Sequence, residues 1–250
     1  MLRSLIRALP VTLALAAGPA VALELDAMTD AERDAFGEQV RAYLLENPEV
    51  LMEAIAVLDQ KQAEVAAQGD SAMIDSHAAA LFESEGDWQG GNPDGDITVV
   101  EFMDYKCGYC RRAFPEVEEL ISSDGNIRYI LKEFPILGEQ STMAAQFALA
   151  VREIEGDEAY KQAHNALMTM RADVSEESLT ALADSLDADF EAVQAEMASP
   201  RVAAIIAGNH QLAQAMQISG TPSFVMGDQM LRGYVPLEQM REMVAQNRAE

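Results

Sequence analysis

The chain has 250 residues, of which 49% are hydrophobic, and it carries a formal net charge of −25 at pH 7. This charge disfavours nucleic acid and anionic membrane surfaces as partners, because both are themselves negatively charged. The length fits one domain of ordinary size with an appendage, and the apolar content is enough for a sizeable core.

The first residues have the pattern of an export signal. Two arginines lie within the first seven residues, residues 9–17 are mostly apolar, and residues 20–22 read Ala-Val-Ala, the form of a cleavage site. The apolar run is too short to span a bilayer. We predict a signal peptide over residues 1–22, cleaved after Ala22. An exported protein enters an oxidising compartment, where proteins that depend on disulfides for stability usually contain many cysteines. This chain has only two, which indicates a redox-active pair rather than structural disulfides.

Residues 28–67 carry helical signals. Thr29 to Glu32 has the pattern of a capping box, and Asn47-Pro48 is typical of the start of a second helix. In that second helix a stripe recurs at heptad spacing, with glutamine at one position: Leu51, Ile55, Leu58, Gln62 and Val65. The stripe either packs on its own domain or joins protomers, and two heptads do not decide between these alternatives.

A boundary between two domains is expected after a third helical stretch at 71–83. The segment 85–95 is rich in turn residues and contains Trp88, the only tryptophan, which we expect to anchor it. We therefore divide the chain into a helical N-terminal arm at 23–85 and a second domain at 86–250.

The second domain begins with a strand–helix–strand pattern. Residues 97–103 form an apolar run rich in β-branched residues, which predicts a buried strand. Cys107-Gly108-Tyr109-Cys110 follows, residues 111–121 have helical spacing, and residues 127–134 predict another strand. This order indicates a βαβ unit with parallel strands and a right-handed crossover.

A Cys-x-x-Cys motif between a strand and a helix is typical of thiol–disulfide chemistry. The unpaired N–H groups and the positive dipole end of the helix favour a thiolate at the nearer cysteine, Cys107, and lower its pKa. Cys107 is therefore the expected nucleophile, and Cys110 is the expected resolving thiol.

Other uses of the motif fit less well. A structural zinc site needs about four ligands, and the chain offers only these cysteines with His77, His164 and His210. Haem attachment needs histidine after the second cysteine, where Arg111 stands. A static disulfide with so short a loop would restrict the unfolded chain little. We therefore expect redox chemistry, with no metal ligand and no cofactor.

The remainder of the chain predicts helices and then a hairpin. Residues 140–216 carry only helical patterns, residues 223–226 and 229–232 pair around the turn Gly227-Asp228, and residues 236–246 form a closing helix. The fold class is therefore α/β. It is a thioredoxin fold, βαβ and then ββα, with a central helical insertion at about 140–216 and a preceding helical arm.

Three features together resemble the DsbA-like periplasmic thiol:disulfide oxidoreductases over about residues 90–250: the strand leading to Cys-Gly-Tyr-Cys, the helical insertion and Gly220-Thr221-Pro222. The resemblance implies a periplasmic location and a cis Pro222 that faces the cysteines. It also implies that Tyr109, Thr221 and Pro222 line a groove for the extended chain of a substrate.

The N-terminal arm indicates which branch of the DsbA-like family the chain resembles. Residues 40–55 resemble the leading segment of the ScsC-type branch, named for suppression of copper sensitivity, in which this segment is a trimerisation arm. This implies an oligomerisation role for the arm and a homotrimer through residues 28–67.

The motif residues bear on the direction of the reaction. Cys-Gly-Tyr-Cys with Thr221 before the proline is similar to the isomerases DsbC and DsbG, whereas DsbA has Pro-His inside its motif and valine before its proline. The resemblance therefore implies a disulfide isomerase or reductase of exported proteins, kept reduced by a membrane thiol reductant of the DsbD or ScsB type. One alternative is a DsbA-like oxidase with a DsbB-like partner. Another is a Cu(I)-binding copper-tolerance protein, since two thiolates suit Cu(I).

Glu101 interrupts the apolar strand six residues before Cys107. A buried carboxylate is costly unless it has a partner or a task. An acid stands at this place in the DsbA-like family, and the resemblance implies that Glu101 moves the proton of Cys110. We expect Lys132, on the neighbouring strand, to be its partner, and the competing interpretation is a solvated salt bridge at a strand edge.

Overall fold

The computed structural model describes residues 28–249, so the predicted signal peptide and its cleavage after Ala22 lie outside the described residues. The chain divides into two units, residues 1–60 and residues 61–250. Within the described part, no helix combines the length and the apolar character that crossing a membrane requires.

The described part of the first unit consists of helix α1 (Asp30–Glu46) and the beginning of α2 (Glu49–Ser76). The predicted capping box is confirmed, because the Glu32 N–H donates to the Thr29 hydroxyl and the Thr29 N–H donates to the Glu32 carboxylate. No residue of α1 is buried. The apolar residues of the heptad stripe are exposed as well: Leu51, Ile55, Leu58 and Val65.

The third helical stretch predicted at 71–83 is not a separate helix. Helix α2 continues through it as far as Ser76, and only the short helix α3 (Ala78–Phe82) follows. Within the second unit, Asp70 of α2 forms a salt bridge with Arg232, with 2.8 Å between the Asp70 Oδ1 and the Arg232 Nη2. Tertiary contacts of this kind override the weak helix propensity of the local sequence.

The described residues contain one mixed sheet of five strands, in the order β1-β3-β2-β4-β5. The strands are β1 (Trp88–Gly91), β2 (Ile97–Met103), β3 (Ile127–Glu133), β4 (Ser223–Met226) and β5 (Gln229–Arg232). Strands β2 and β3 are parallel, and every other pairing is antiparallel. The predicted βαβ unit and the predicted hairpin are both present.

Strand β1 lies within the segment that the sequence pattern assigns to turns. Its four residues include two glycines, which are depleted in strands, so its local signal is weak. Gly91 has φ +69°, and a Cβ atom there would lie 2.3 Å from the carbonyl oxygen of Ile127, so glycine is required. Trp88 anchors the strand as predicted: it is buried and its indole N–H donates to the Asp157 carbonyl over 3.0 Å.

Helices complete the second unit. Helix α4 (Gly108–Asp124) connects β2 to β3, and α10 (Leu237–Ala249) closes the fold. The predicted helical insertion lies between β3 and β4 and comprises α5 (Glu139–Glu155), α6 (Asp157–Thr169), α7 (Glu176–Ser185), α8 (Phe190–Met197) and α9 (Pro200–Ala215).

The central strands β2 and β3 are buried on both faces, as expected for a parallel pair that is covered by helices. On one face Val99 belongs to a cluster with Phe147 of α5. On the other face Val100 belongs to a cluster with Leu81 of α3 and Leu212 of α9. These two layers hold the end of β2 firmly, and the cysteine motif follows directly from that end.

Candidate active site

The loop between β2 and α4 is held by Asp104. Its carboxylate accepts hydrogen bonds from the Ile136 N–H over 2.8 Å and from the Ser141 hydroxyl over 2.8 Å. It also accepts the Lys106 N–H over 2.7 Å, and its own carbonyl accepts the Cys107 N–H over 3.1 Å. Cys107 is thereby placed as the N-cap residue of α4.

Arg111 ties the first turn of α4 to helix α6. Its guanidinium donates to the carbonyl oxygens of Tyr105 over 2.7 Å, Met170 over 2.5 Å and Leu167 over 3.3 Å. Sequence reasoning does not identify Arg111 or Asp104 as site residues, because their partners are distant backbone groups that no local pattern reveals.

The two cysteines are free thiols at the start of α4. Cys107 is 7% exposed and Cys110 is fully buried. The Cys107 sulfur lies 3.2 Å from the carbonyl oxygen of Thr221. The structure therefore brings both predicted cysteines together with the predicted Thr221-Pro222 segment.

The environment separates the pKa values of the two thiols. The pKa of Cys107 is lowered from 9.0 to about 5, first by a hydrogen bond from the Cys110 thiol and then by the Thr221 side chain and the N–H groups of Cys110 and Tyr109. Burial raises the pKa of Cys110 far above its ordinary value, and the hydrogen bond to Cys107 and the charge of Glu101 add to that effect. At neutral pH one thiolate faces the surface while the second thiol stays protonated behind it.

The peptide bond between Thr221 and Pro222 is cis, as the resemblance implies. The Pro222 carbonyl accepts the Gly233 N–H over 2.9 Å, and the Ser223 hydroxyl donates to the Gly220 carbonyl over 2.8 Å. These bonds fix the segment between the helical insertion and β4 beside the cysteines.

Tyr109 is 61% exposed at the surface next to the cysteines. Its ring stacks on Tyr234, with 6.3 Å between the ring centroids. The Arg112 guanidinium lies 4.5 Å from the centroid of the same Tyr234 ring, and the Tyr234 hydroxyl donates to Glu116 over 2.7 Å. An aromatic surface thus borders the exposed side of the motif.

Glu101 is buried, with 3% of its surface exposed, and it accepts a hydrogen bond from the Tyr129 hydroxyl. Burial raises the pKa of Glu101 from 4.5 to about 7. Its charge also contributes to the raised pKa of Cys110, so the two groups are electrostatically coupled. A carboxyl with a pKa near neutrality suits the exchange of protons with a neighbouring thiol.

The expected pairing of Glu101 with Lys132 is wrong. Lys132 is fully buried and pairs with Asp87, and it also donates to the Ala80 carbonyl over 2.8 Å. The register explains the error: Lys132 lies opposite Phe102, one residue beyond Glu101, and successive strand residues point to opposite faces of the sheet.

A second buried carboxyl was not identified from the sequence. Glu133 accepts hydrogen bonds from the hydroxyls of Tyr105 and Tyr160, both over 2.7 Å, and burial raises its pKa to about 8. The Tyr105 hydroxyl also lies 3.2 Å from Nδ1 of His164, whose burial lowers its pKa to about 3. The available signal was an acid within a predicted buried strand, as for Glu101.

The described residues hold no group of three or more histidine, cysteine, aspartate or glutamate side chains that could bind a metal ion.

The fold and the cysteine geometry define a thioredoxin-fold thiol–disulfide oxidoreductase. The model of the DSBA-like thioredoxin domain family matches residues 98–245, and this chain belongs to that family. The model of the copper resistance protein ScsC N-terminal domain matches residues 32–64. Both matches agree with the resemblance to the ScsC-type branch.

Individual relatives show the same likeness. The chain is 42% identical to a thioredoxin-like oxidoreductase from Silicibacter pomeroyi DSS-3, with a TM-score of 0.64 over 69% of this chain and 98% of that one. It is 28% identical to Proteus mirabilis ScsC in a transitional conformation, with a TM-score of 0.65 over 90% of this chain and 98% of that one.

Curated relatives include a longer protein. The chain is 30% identical over 155 residues to the Na⁺/H⁺ antiporter NhaA 1 of Salinispora arenicola, a match that covers 62% of this chain. The chain spans 24% of the length of that antiporter and of a second one from Salinispora tropica.

Proposed function

We propose that this protein is a periplasmic disulfide isomerase or reductase of exported proteins, with Cys107 as the nucleophile. The observation that carries the proposal is the position of Cys107 at the N-terminus of α4, 3.2 Å from the Thr221 carbonyl and beside the cis Pro222. The thiolate is the reactive form in disulfide exchange, and this environment holds Cys107 as a thiolate at neutral pH.

The reaction begins when the Cys107 thiolate attacks a disulfide of the substrate. A bond forms between the Cys107 sulfur and one substrate sulfur, and the other substrate sulfur leaves as a thiolate. In isomerisation this released thiolate, or another one of the substrate, attacks the substrate again and frees Cys107. The substrate then carries a different disulfide, and no net electrons are transferred.

Reduction uses the second thiol. The Cys110 thiol gives its proton to the Glu101 carboxylate and its sulfur attacks Cys107, so the bond between Cys107 and the substrate breaks. The substrate leaves reduced and the enzyme holds a disulfide between Cys107 and Cys110. A membrane thiol reductant of the DsbD or ScsB type then restores the dithiol form.

Three residues are assigned to the binding of the substrate chain. Thr221 and Pro222 form a backbone edge beside Cys107, and Tyr109, between the two cysteines, supplies an exposed aromatic surface. An extended peptide that pairs with this edge would present its disulfide to the Cys107 sulfur.

The arm is proposed to hold three copies of the chain together through residues 28–67. The match to the ScsC N-terminal domain and the exposed apolar stripe of α2 support this assignment. A homotrimer places several thiolates around one misfolded substrate, which raises the effective concentration of nucleophile during isomerisation.

The assembly can be tested in the full-length chain with Leu51→Glu and Ile55→Glu together, because both side chains are about half exposed in the single chain. Light scattering should give a trimer for the wild type and a monomer for the double variant. The variant should still reduce a small disulfide but lose most of the refolding activity on scrambled substrates. A wild-type monomer, or a monomeric variant that isomerises at the wild-type rate, contradicts the proposed role of the arm.

An oxidase served by a DsbB-like partner is the second candidate. It is favoured by the low pKa of Cys107, because a stabilised thiolate stabilises the reduced form and makes the disulfide form a stronger oxidant. The redox state of the cysteines, trapped by rapid alkylation in the native compartment, separates these functions: an isomerase is found reduced and an oxidase is found oxidised.

A Cu(I)-binding role is the alternative from another class, and the soft thiol pair and the match to the copper resistance protein ScsC N-terminal domain support it. Titration of the reduced protein with Cu(I), compared with a Cys107→Ala variant, tests that role without measuring disulfide exchange.

A further inference from the structure

The proposed reaction requires Glu101 to gain and lose a proton in each turnover, yet this carboxyl is buried. Glu101 accepts a hydrogen bond from the phenol of Tyr129 on β3. Lys132, also on β3, forms its salt bridge with Asp87 instead of with Glu101. A buried carboxyl that exchanges protons needs both a route to water and groups that set its proton affinity.

Tyr129 also lines a small cavity of about 120 Å³. This volume is enough for several water molecules. It is lined by Trp88, Gly91, Glu118, Ile121, Ser122, Tyr129 and Lys161. Tyr129 therefore contacts Glu101 with its hydroxyl and also forms part of the cavity wall.

An ion pair forms part of the cavity wall. Lys161 of α6 and Glu118 of α4 approach to 2.5 Å, and both side chains are partly exposed. The Lys161 ammonium also lies 5.3 Å from the centroid of the Trp88 ring. The pair and Tyr129 therefore line the same cavity.

The charges around Glu101 act in known directions. Burial dominates and raises its pKa; the Tyr129 hydrogen bond lowers it, the charge of Glu118 raises it and the charge of Lys161 lowers it. At the start of α4 the Cys107 charge also raises the Glu101 pKa, and Cys110 is coupled to Glu101 in turn.

We propose that Tyr129 and the Glu118–Lys161 ion pair control the proton exchange of Glu101, with the cavity as the route to water. Tyr129 and the two charged residues are positioning residues, since they act on the thiols only through Glu101. This inference rests on the proposed thiol–disulfide exchange and assigns a role to residues that the exchange itself does not use.

The Cys110 thiol passes its proton to the Glu101 carboxylate as the Cys110 sulfur bonds to Cys107, and the substrate sulfur leaves as a thiolate. The protonated Glu101 then releases its proton to water from the cavity, and the Tyr129 hydroxyl again donates to the restored carboxylate. The carboxylate is restored, and no oxidant beyond the substrate disulfide is needed.

Two single variants break the same ion pair but change opposite charges. Glu118→Gln should lower the pKa of Glu101 and Lys161→Gln should raise it, as read from the carboxyl infrared band of the reduced protein, with a Glu101→Gln protein as the subtraction reference. A purely structural effect of breaking the pair would move both titrations in the same direction, so shifts of equal sign overturn the proposal.

Tyr129→Phe removes the hydrogen bond to the carboxylate and should raise the pKa of Glu101 by about one to two units, the range expected for a bond to a charged group. The matched control is Tyr160→Phe, which removes a buried phenol from Glu133 instead and should leave the Glu101 titration in place. An unchanged titration in Tyr129→Phe contradicts the proposal, and the Glu118 and Lys161 variants decide the question if Tyr129→Phe does not fold.

Rate measurements on the mixed disulfide distinguish a failure of this proposal from a failure of the proposed function. In rapid-mixing experiments the pH midpoint for release of substrate from the mixed disulfide should follow the Glu101 titration in each variant, while the formation of the mixed disulfide stays unchanged. A wild type that forms no mixed disulfide refutes the proposed function. A wild type that reacts while all variants keep its pH midpoint refutes only the role of Tyr129 and the ion pair.

Discussion

Replacing Cys110 by alanine removes the thiol whose hydrogen bond is the largest of the effects that lower the pKa of Cys107. With a pKa of about 5 in place of 9.0, about 99% of Cys107 is thiolate at pH 7, against about 1% for the unperturbed thiol. A hydrogen bond to a charged group contributes about 1.5–3 kcal/mol, and about 1.4 kcal/mol corresponds to one pKa unit. The pKa of Cys107 should therefore rise by about one to two units in Cys110→Ala.

The matched control is Cys110→Ser, in which a hydroxyl replaces the thiol as the donor. Its Cys107 should keep a pKa close to that of the wild type. The assay is the ultraviolet absorbance of the thiolate, followed as a function of pH and checked by the rate of alkylation. The reasoning is refuted if the alanine and serine variants titrate at the same pH, or if Cys107 of the wild type titrates near 9.0.

Three further outcomes are expected. Glu101→Gln should slow the resolution of the mixed disulfide by about a hundredfold, within the usual range for general base catalysis, and slow its formation much less; equal effects on both steps in stopped-flow measurements would leave Glu101 with a structural role. Because the pKa of Cys107 is lowered in the folded reduced protein, its contribution to stability is complete above the ordinary value of 9.0 and is lost as the pH falls through about 5. The oxidised protein has no such titration, so the reduced form should gain thermal stability relative to the oxidised form as the pH rises between these values, and a difference that is independent of pH in calorimetry argues against this linkage. Asp87→Asn should destabilise the protein by about 3–5 kcal/mol in urea unfolding, because it leaves Lys132 buried without its counter-ion, and a loss below about 1 kcal/mol would show that this pair contributes little.

The elements with strong local signals are those that the sequence predicts well. The apolar run at 97–103, the cysteine motif and the turn Gly227-Asp228 each determine their structure within a few residues, so the βαβ unit and the hairpin follow directly. The capping box at Thr29 is equally local. By contrast, β1 depends on its pairing with β3, and its two glycines hide it.

The site was predictable where a residue type carries its own chemistry. The cysteines and the glutamate of β2 are conspicuous in an apolar setting, and the charge of Glu101 raises the pKa of Cys110. The partner of Glu101 was not predictable, because the choice between Lys132 and Tyr129 depends on the register of β2 and β3 and on the face to which each side chain points.

The length of α2 and the role of Asp104 were not predictable either, because both depend on contacts between residues far apart in the sequence. Helix α2 continues past Gly69, and its Asp70 meets Arg232 of β5. The Asp104 carboxylate accepts hydrogen bonds from backbone N–H groups and a hydroxyl of the segment that follows β3. Contacts between residues so far apart in sequence appear only when the sheet is assembled.

The most direct test of the central claim is to trap the mixed disulfide and locate it by mass spectrometry. Full-length Cys110→Ala and Cys107→Ala proteins, both reduced, are mixed with a peptide that contains one disulfide and are then quenched with acid. The account predicts rapid formation of an adduct on Cys107 in the Cys110→Ala protein and almost none on the buried Cys110 in the Cys107→Ala protein. Equal trapping by both variants, or the absence of an adduct on Cys107, would contradict the assignment of Cys107 as the nucleophile.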